Sequence, residues 1–254
     1  LRLYGRGATT LLIALQPRPY MAVGKFLIGH LAPDWVVAQS TRTAALLRDL
    51  GCRTALLPPA VDAARFRPAS PLEKAALRGK YGVPVSAKVV THVGHLKGER
   101  NLSQVVALQA AVDYHTVVVG STSTKQDAAL EETLRSAGAT VISTSIENIE
   151  DIYRLSDVYL FLAVKDTAAI ELPLSVLEAM ACNLPVVCTP FGGLSDFFDE
   201  GRGLFYLDDQ TQTRAMVAAA ISAPCATREL VESRTWSAAA NTLVHLLQAD
   251  KVAL

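Results

Sequence analysis

Short β-branched or leucine-rich runs alternate along this chain with longer stretches that carry apolar residues at helical spacing. TTLLIAL (9–15), DWVVAQS (34–40) and RTALLPP (53–59) read as strands ended by Pro, Ser or Gln. Helix-length segments at 21–31 and 41–50 lie between them, and Ser40 suits the cap of the second. The pattern breaks over 58–71, PPAVDAARFRPASP, where four prolines fall in fourteen residues and no period fits. That segment reads as a connection between domains. The alternation then resumes with KVVTHVG (88–94), HTVVVG (115–120), ATVISTS (139–145), DVYLFLAV (157–164), PVVCT (185–189) and GLFYL (203–207). Helical stretches are expected near 101–111, 124–137, 148–155, 172–182, 209–221 and 236–249. Continuous apolar strands separated by helices predict a parallel sheet covered on both faces, a doubly wound, Rossmann-like α/β domain.

Composition narrows this only modestly. The chain has 254 residues, 50% of them hydrophobic, with 24 basic and 24 acidic side chains. Zero formal charge gives no reason to expect nucleic acid, or an anionic membrane held by charge alone, as a partner. No apolar run reaches membrane-spanning length, and 158–164 has the length of a buried strand. Cys52, Cys182, Cys188 and Cys225 form no CxxC pair and sit in apolar surroundings, which predicts reduced core thiols in a reducing compartment. The chain starts LRLYGRG, with neither Met nor a signal-peptide pattern, and is expected to be cut from within a longer sequence.

In doubly wound sheets ligands bind beyond the carboxyl ends of the strands, so the loops there carry the chemistry. VGHLKGERNLS (93–103) is strand, glycine, basic loop and helix. Backbone N–H groups and a positive helix end, with Lys97 and Arg100, make a candidate anion site, although the loop alone reads as a solvated turn. VVVGSTSTK (117–125) puts Gly120 at a turn, with Ser121 to Ser123 as helix caps, and capping alone would explain it. KDTAAIELP (165–173) leads into a helix opened by Pro173. Glu178 lies roughly 7.5 Å further along that axis, where a ribose would sit if a diphosphate lay at the helix start. Gly192 and Gly193 in TPFGGLSDFF (189–198) could approach a ligand or simply turn the chain. No DxD-type metal site and no candidate nucleophile is evident.

Taken in order, these segments resemble the retaining glycosyltransferases of the GT-B fold, family 4. PPAVDAARFRP is similar to that family's interdomain connection, VGHLKGERNLSQVVAL to its strand, basic loop and helix, and IEDIYRLSDVYLFLAV with LPLSVLEAMACNLPVVCTPFGGLSDFFDEGRGLFYLDD to its longest signature. RTWSAAANTLVHLL is similar to its final helix, with Trp236 near the start. The likeness covers roughly residues 34–250, and six motifs in order carry it where no single one would. It implies a remnant of the acceptor-side α/β domain at 1–58, a linker at 59–71, a nucleotide-sugar-binding domain at 72–235 and a C-terminal helix at 236–254.

The resemblance further implies a donor site of Gly94, His95, Lys97, Arg100, Gly120, Ser121, Thr144, Ser145, Ile146, Leu172, Pro173, Leu174, Ser175 and Glu178. The base would sit near 144–146. Arg100 and Lys97 would stabilise the leaving diphosphate without a metal or other cofactor. Of two glutamates eight positions apart in the family, the second matches Glu178 as the ribose carboxylate. The first falls on Ile170, which leaves Glu171 as a displaced catalytic substitute or a bystander. His95 replaces a usual arginine, Arg100 stands near a usual lysine with Lys97 compensating, and Asn183 replaces a usual glycine. The implied reaction moves a sugar with retention from a UDP- or GDP-linked donor to a glycan or lipid-linked acceptor, in the cytoplasm or at the inner membrane face. A non-catalytic nucleotide-binding module, or a subunit whose acceptor domain comes from a second chain, is the alternative. A GT-B epimerase or phosphorylase is the third reading.

Overall fold

In a computed structural model, residues 8–16, 22–57, 59–110, 114–122 and 126–249 are described. Pro58, Ser123 and residues 250–254, which entered the expectations above, lie outside them. The first part runs β1 (Leu11–Ala14), α1 (Ala22–Leu31), β2 (Trp35–Ala38), α2 (Thr41–Asp49) and β3 (Thr54–Leu56). The strands form a parallel three-stranded sheet in the order β1-β2-β3. Ser40 caps α2 as expected, its hydroxyl accepting from the Thr43 N–H.

The second part runs α3 (Pro71–Lys80), β4 (Lys88–Gly94), α4 (Ser103–Ala110), β5 (Tyr114–Gly120), α5 (Ala128–Ser136), β6 (Thr140–Ile142), α6 (Glu150–Leu155), β7 (Val158–Phe161), α7 (Leu174–Ala181), β8 (Val186–Cys188), α8 (Leu194–Phe197), β9 (Leu204–Tyr206) and α9 (Thr213–Ser222). Its six strands are parallel, ordered β6-β5-β4-β7-β8-β9. Direction of winding reverses between β4 and β7, which makes their carboxyl ends the place for a ligand. Val158, Tyr159, Leu160 and Phe161 are each fully buried, as a strand covered on both faces requires. The last helix, α10 (Trp236–Ala249), leaves this sheet and packs Ala239, Leu243 and Leu246 against Val37 and Leu57 of the first.

Two helices were not anticipated, the single turn α8 in the loop after β8 and the longer α3. PLEKAALRGK begins inside the proline-rich stretch and reads as its tail, yet it forms α3 because Ser70 and Glu73 make a capping box. The Ser70 hydroxyl accepts from the Glu73 N–H at 3.2 Å, and Glu73 accepts from the Ser70 N–H at 2.9 Å. Arg78 on α3 donates to the carbonyls of Leu155, Val85 and Ala87 and to Asp157, fixing the helix to the second sheet. Ser70→Ala removes the cap and is expected to cost about 1 kcal/mol. Thermal unfolding should then fall by roughly 2–4 °C; no change would mean tertiary contacts alone hold the helix.

The connection before α3 is ordered. Arg228 donates to the carbonyls of Ala63, Phe66 and Ala181, and the Phe66 ring meets Tyr153 edge-on at 5.8 Å. Asn183 adopts φ 56°, the left-handed conformation expected of it. The four cysteines are free, three of them buried.

Candidate donor site at the sheet switch point

Beyond the carboxyl ends of β4 and β7 lies a cavity of about 520 Å³. Its lining brings together Gly94, His95, Lys97, Arg100, Ser121, Pro173, Leu174 and Ser175 from the expected set. It adds residues that pattern reading missed: Gln16, Val93, Glu99 and the strip Thr167–Ile170. Among the described residues only Gln16, just past β1, reaches it from the first part of the chain, and no local signal marks it.

Arg100 dominates the electrostatics. Its side chain is buried, at 6% exposure, and its guanidinium lies 5.2 Å above the Phe161 ring. Among the described residues no carboxylate pairs with it, and its Nε has no partner. Burial lowers its pKa, with nearby Tyr159 and Glu99 opposing. A buried, unpaired guanidinium is costly, and an anion in the cavity would relieve that cost.

His92, beside Arg100, is neutral and turns an unprotonated Nε2, unpartnered among the described residues, away from its backbone contact. Its Nδ1 lies 3.0 Å from the Leu160 carbonyl, which can only accept, so the proton sits on Nδ1. Burial first, then the charge of Arg100, push its pKa down to about 4. Gly94 is required by proximity: a side chain there would lie 3.1 Å from Arg100 Nη1 and 3.3 Å from His92 Nε2.

The opposite wall is the start of α7. Pro173 precedes it and no side chain caps it, so its first N–H groups remain available to an anion. Ser175 bonds the Tyr159 hydroxyl, which in turn donates to the Val93 carbonyl, joining α7 to β4 and β7. One turn on, the half-buried Glu178 accepts a 2.6 Å hydrogen bond from the Tyr153 hydroxyl. Burial raises the Glu178 pKa, and the bond from Tyr153 pulls it back.

Not every expected residue joins the cavity. Leu172 is packed in the core beneath it, and Gly120 lies behind it, where a side chain would press on Leu96 and Gln126 at 3.0 Å. Glu178 and the loop 144–146 lie outside its lining, with Thr144 and Ser145 exposed. The catalytic expectation for Glu171 needs correction. Its side chain is fully buried and turned away, its Oε1 accepting from Ser40 at 2.7 Å and Thr43 at 2.6 Å on α2. Ile170, not Glu171, lines the cavity. Among the described residues no cluster of His, Cys, Asp or Glu could hold a metal ion.

A parallel sheet with this strand order, a cationic pocket at its switch point and a second parallel sheet beside it define a GT-B type α/β protein. The family described as glycosyl transferases group 1 matches residues 87–224, more than half the chain, and the chain belongs to it. A D-inositol 3-phosphate glycosyltransferase of Corynebacterium jeikeium is 29% identical over 174 residues, covering 62% of this chain and 40% of that protein. A lipopolysaccharide core biosynthesis mannosyltransferase, LpsB of Rhizobium meliloti, is 28% identical over 217 residues, covering 80% and 59%. The chain thus spans about half the length of such relatives. Among solved structures, Anabaena HepE in complex with UDP superposes with a TM-score of 0.78 at 16% identity, covering 94% of this chain and 72% of that one. A glycosyltransferase from Rickettsia africae gives 0.79 at 15% identity, covering 94% and 70%. No described helix is long and apolar enough to cross a membrane.

Proposed function

We propose that this chain is the donor-binding part of a retaining glycosyltransferase that takes a nucleotide-diphospho-sugar. The observation that carries this reading is Arg100, buried and unpaired, facing the same cavity as Lys97 and the uncapped start of α7. A diphosphate fits that arrangement of charge. As the sugar leaves, negative charge grows on the β-phosphate, where a preorganised guanidinium, an ammonium and N–H dipoles stabilise it. Those cations would take the part a divalent metal plays elsewhere, so donor binding is expected to be indifferent to chelators. Glu178, one helical turn beyond, would accept from the ribose hydroxyls. The base would lie towards residues 144–146, UDP and GDP being the candidates. HepE, solved with UDP, lends support to a uridine nucleotide.

The acceptor, a glycan or lipid-linked sugar, would meet the donor from the side of the first sheet. Attack from the front face, guided by the departing phosphate, would give retention. The reaction would take place in the cytoplasm or at the inner membrane face. A second reading, a nucleotide-binding subunit that needs another chain, is favoured by Glu171 facing away from the cavity.

Calorimetric titration with UDP, GDP and ADP, with and without EDTA, tests the site. One nucleotide should bind at micromolar affinity, and Glu178→Ala should weaken it by about tenfold or more, the worth of hydrogen bonds to a charged group. Equal binding by wild type and variant would remove Glu178 from the site. Turnover of the matching nucleotide sugar then separates an enzyme from a binding subunit.

A further inference from the structure

We infer that Glu171 is a positioning residue that sets the shape of the donor cleft by tying its wall to the first sheet. The inference rests on the reading of that cleft as a donor site. Four hydrogen bonds from three distant segments converge on this one residue. Its carboxylate Oε1 accepts from the hydroxyls of Ser40 and Thr43 in the first turn of α2. Its N–H donates to the Leu15 carbonyl just past β1 at 2.9 Å. Its own carbonyl accepts from the Gly193 N–H at 2.9 Å, in the turn after β8.

The flanking residues show what is being positioned. Ile170 and Pro173 line the cavity, while Glu171 faces the first sheet. Fixing Glu171 therefore fixes both the apolar wall at 168–170 and the entry to α7, whose N–H groups face the ligand. A carboxylate is an expensive way to fill buried space, and an apolar side chain would be the cheaper filler. Among the described residues Oε2 finds no partner, so the burial cost is not fully recovered. What the carboxylate supplies instead is direction: two hydroxyls aimed at one oxygen permit a single register between α2 and the loop. Ser40 and Thr43 lie outside the cavity lining, yet ligand affinity there should respond to them.

The test combines nucleotide titration with hydrogen exchange. Ser40→Ala/Thr43→Val and Glu171→Ala should each lower affinity for the bound nucleotide by about tenfold, and combining them should add nothing further. Glu171→Gln keeps the acceptor oxygen and should stay within about threefold of wild type. Val37→Ala, which loosens the first sheet without touching Glu171, should lower the unfolding temperature and leave affinity unchanged. Wild-type affinity in Ser40→Ala/Thr43→Val, or a loss of similar size in Val37→Ala, would overturn the inference. Should wild type bind neither UDP nor GDP, the donor reading fails by itself and exchange of the Glu171 amide decides the anchor. Faster exchange in Ser40→Ala/Thr43→Val upholds it; unchanged exchange overturns it.

Discussion

Arg100→Met is expected to lose nucleotide affinity by at least about thirtyfold while leaving the free protein as stable as before, or more so. The two halves of that result come from the same observation. In the free protein the guanidinium is buried against Phe161 with Nε unbonded. Its lowered pKa says that the folded state disfavours the charged form, and burial is the first cause. For a base the sign follows directly: the penalty applies at every pH below the folded pKa, hence throughout the range where the protein can be handled. Methionine fills a similar volume without a charge, so the penalty disappears. With a diphosphate bound, the balance reverses. A desolvated phosphate–guanidinium pair that loses one partner typically costs about 2–5 kcal/mol, which sets the thirtyfold floor. Thermal unfolding with and without nucleotide reads both effects. At about one hundred times Kd the ligand adds roughly 2.7 kcal/mol to wild type, and the variant should show almost none of it. A destabilised Arg100→Met that still binds would show that Arg100 is a packing residue and that the anion sits elsewhere.

Much of this fold could be read along the chain because its governing interactions are local. β4 occupies the residues that periodicity assigned, and Asn183 takes the left-handed turn that its side chain allows. α3 escaped notice because Pro68, Ser70 and Pro71 look like linker, while the capping box that makes them a helix start depends on Glu73. The site divides along the same line. Gly94, Lys97 and Arg100 share one loop, so their chemistry shows in a short motif. The orientation of Glu171 does not, because Ser40 and Thr43, which decide it, lie 131 and 128 residues away. One position along an irregular loop separates facing a ligand from facing another sheet, and only tertiary contact chooses. The order of the strands, which creates the switch point, is likewise invisible to periodicity.

Gly193→Ala should be among the most damaging single substitutions in the chain, although it adds one methyl group. Gly193 has φ −99°, which alanine adopts freely, so backbone strain is not the reason. The reason is space: a Cβ there would stand 2.0 Å from the Gln39 carbonyl oxygen and 3.0 Å from its carbon. Those are backbone atoms at the end of β2 and cannot rotate aside as a side chain would. Gly192 is equally confined, with the Glu171 carbonyl oxygen 2.2 Å from its missing Cβ. The glycine turn is therefore packed against backbone on both sides, Gly193 on Gln39 and Gly192 on Glu171. Accommodating the methyl group requires the first sheet to move off the second, loosening the bonds of Thr41 to Asp196 and of Glu171 to α2. Overpacking commonly costs about 1–3 kcal/mol, and rigid neighbours put this case at the upper end. Unfolding temperature should drop by roughly 6–12 °C. Gly79→Ala makes the opposite control. It lies inside α3 with nothing within 4 Å of its missing Cβ, and alanine there should add about 0.4–1 kcal/mol. A Gly193→Ala protein within 2 °C of wild type would mean that the sheets have slack between them. In that event the rigid contact that lets Glu171 set the cleft would be lost as an explanation too.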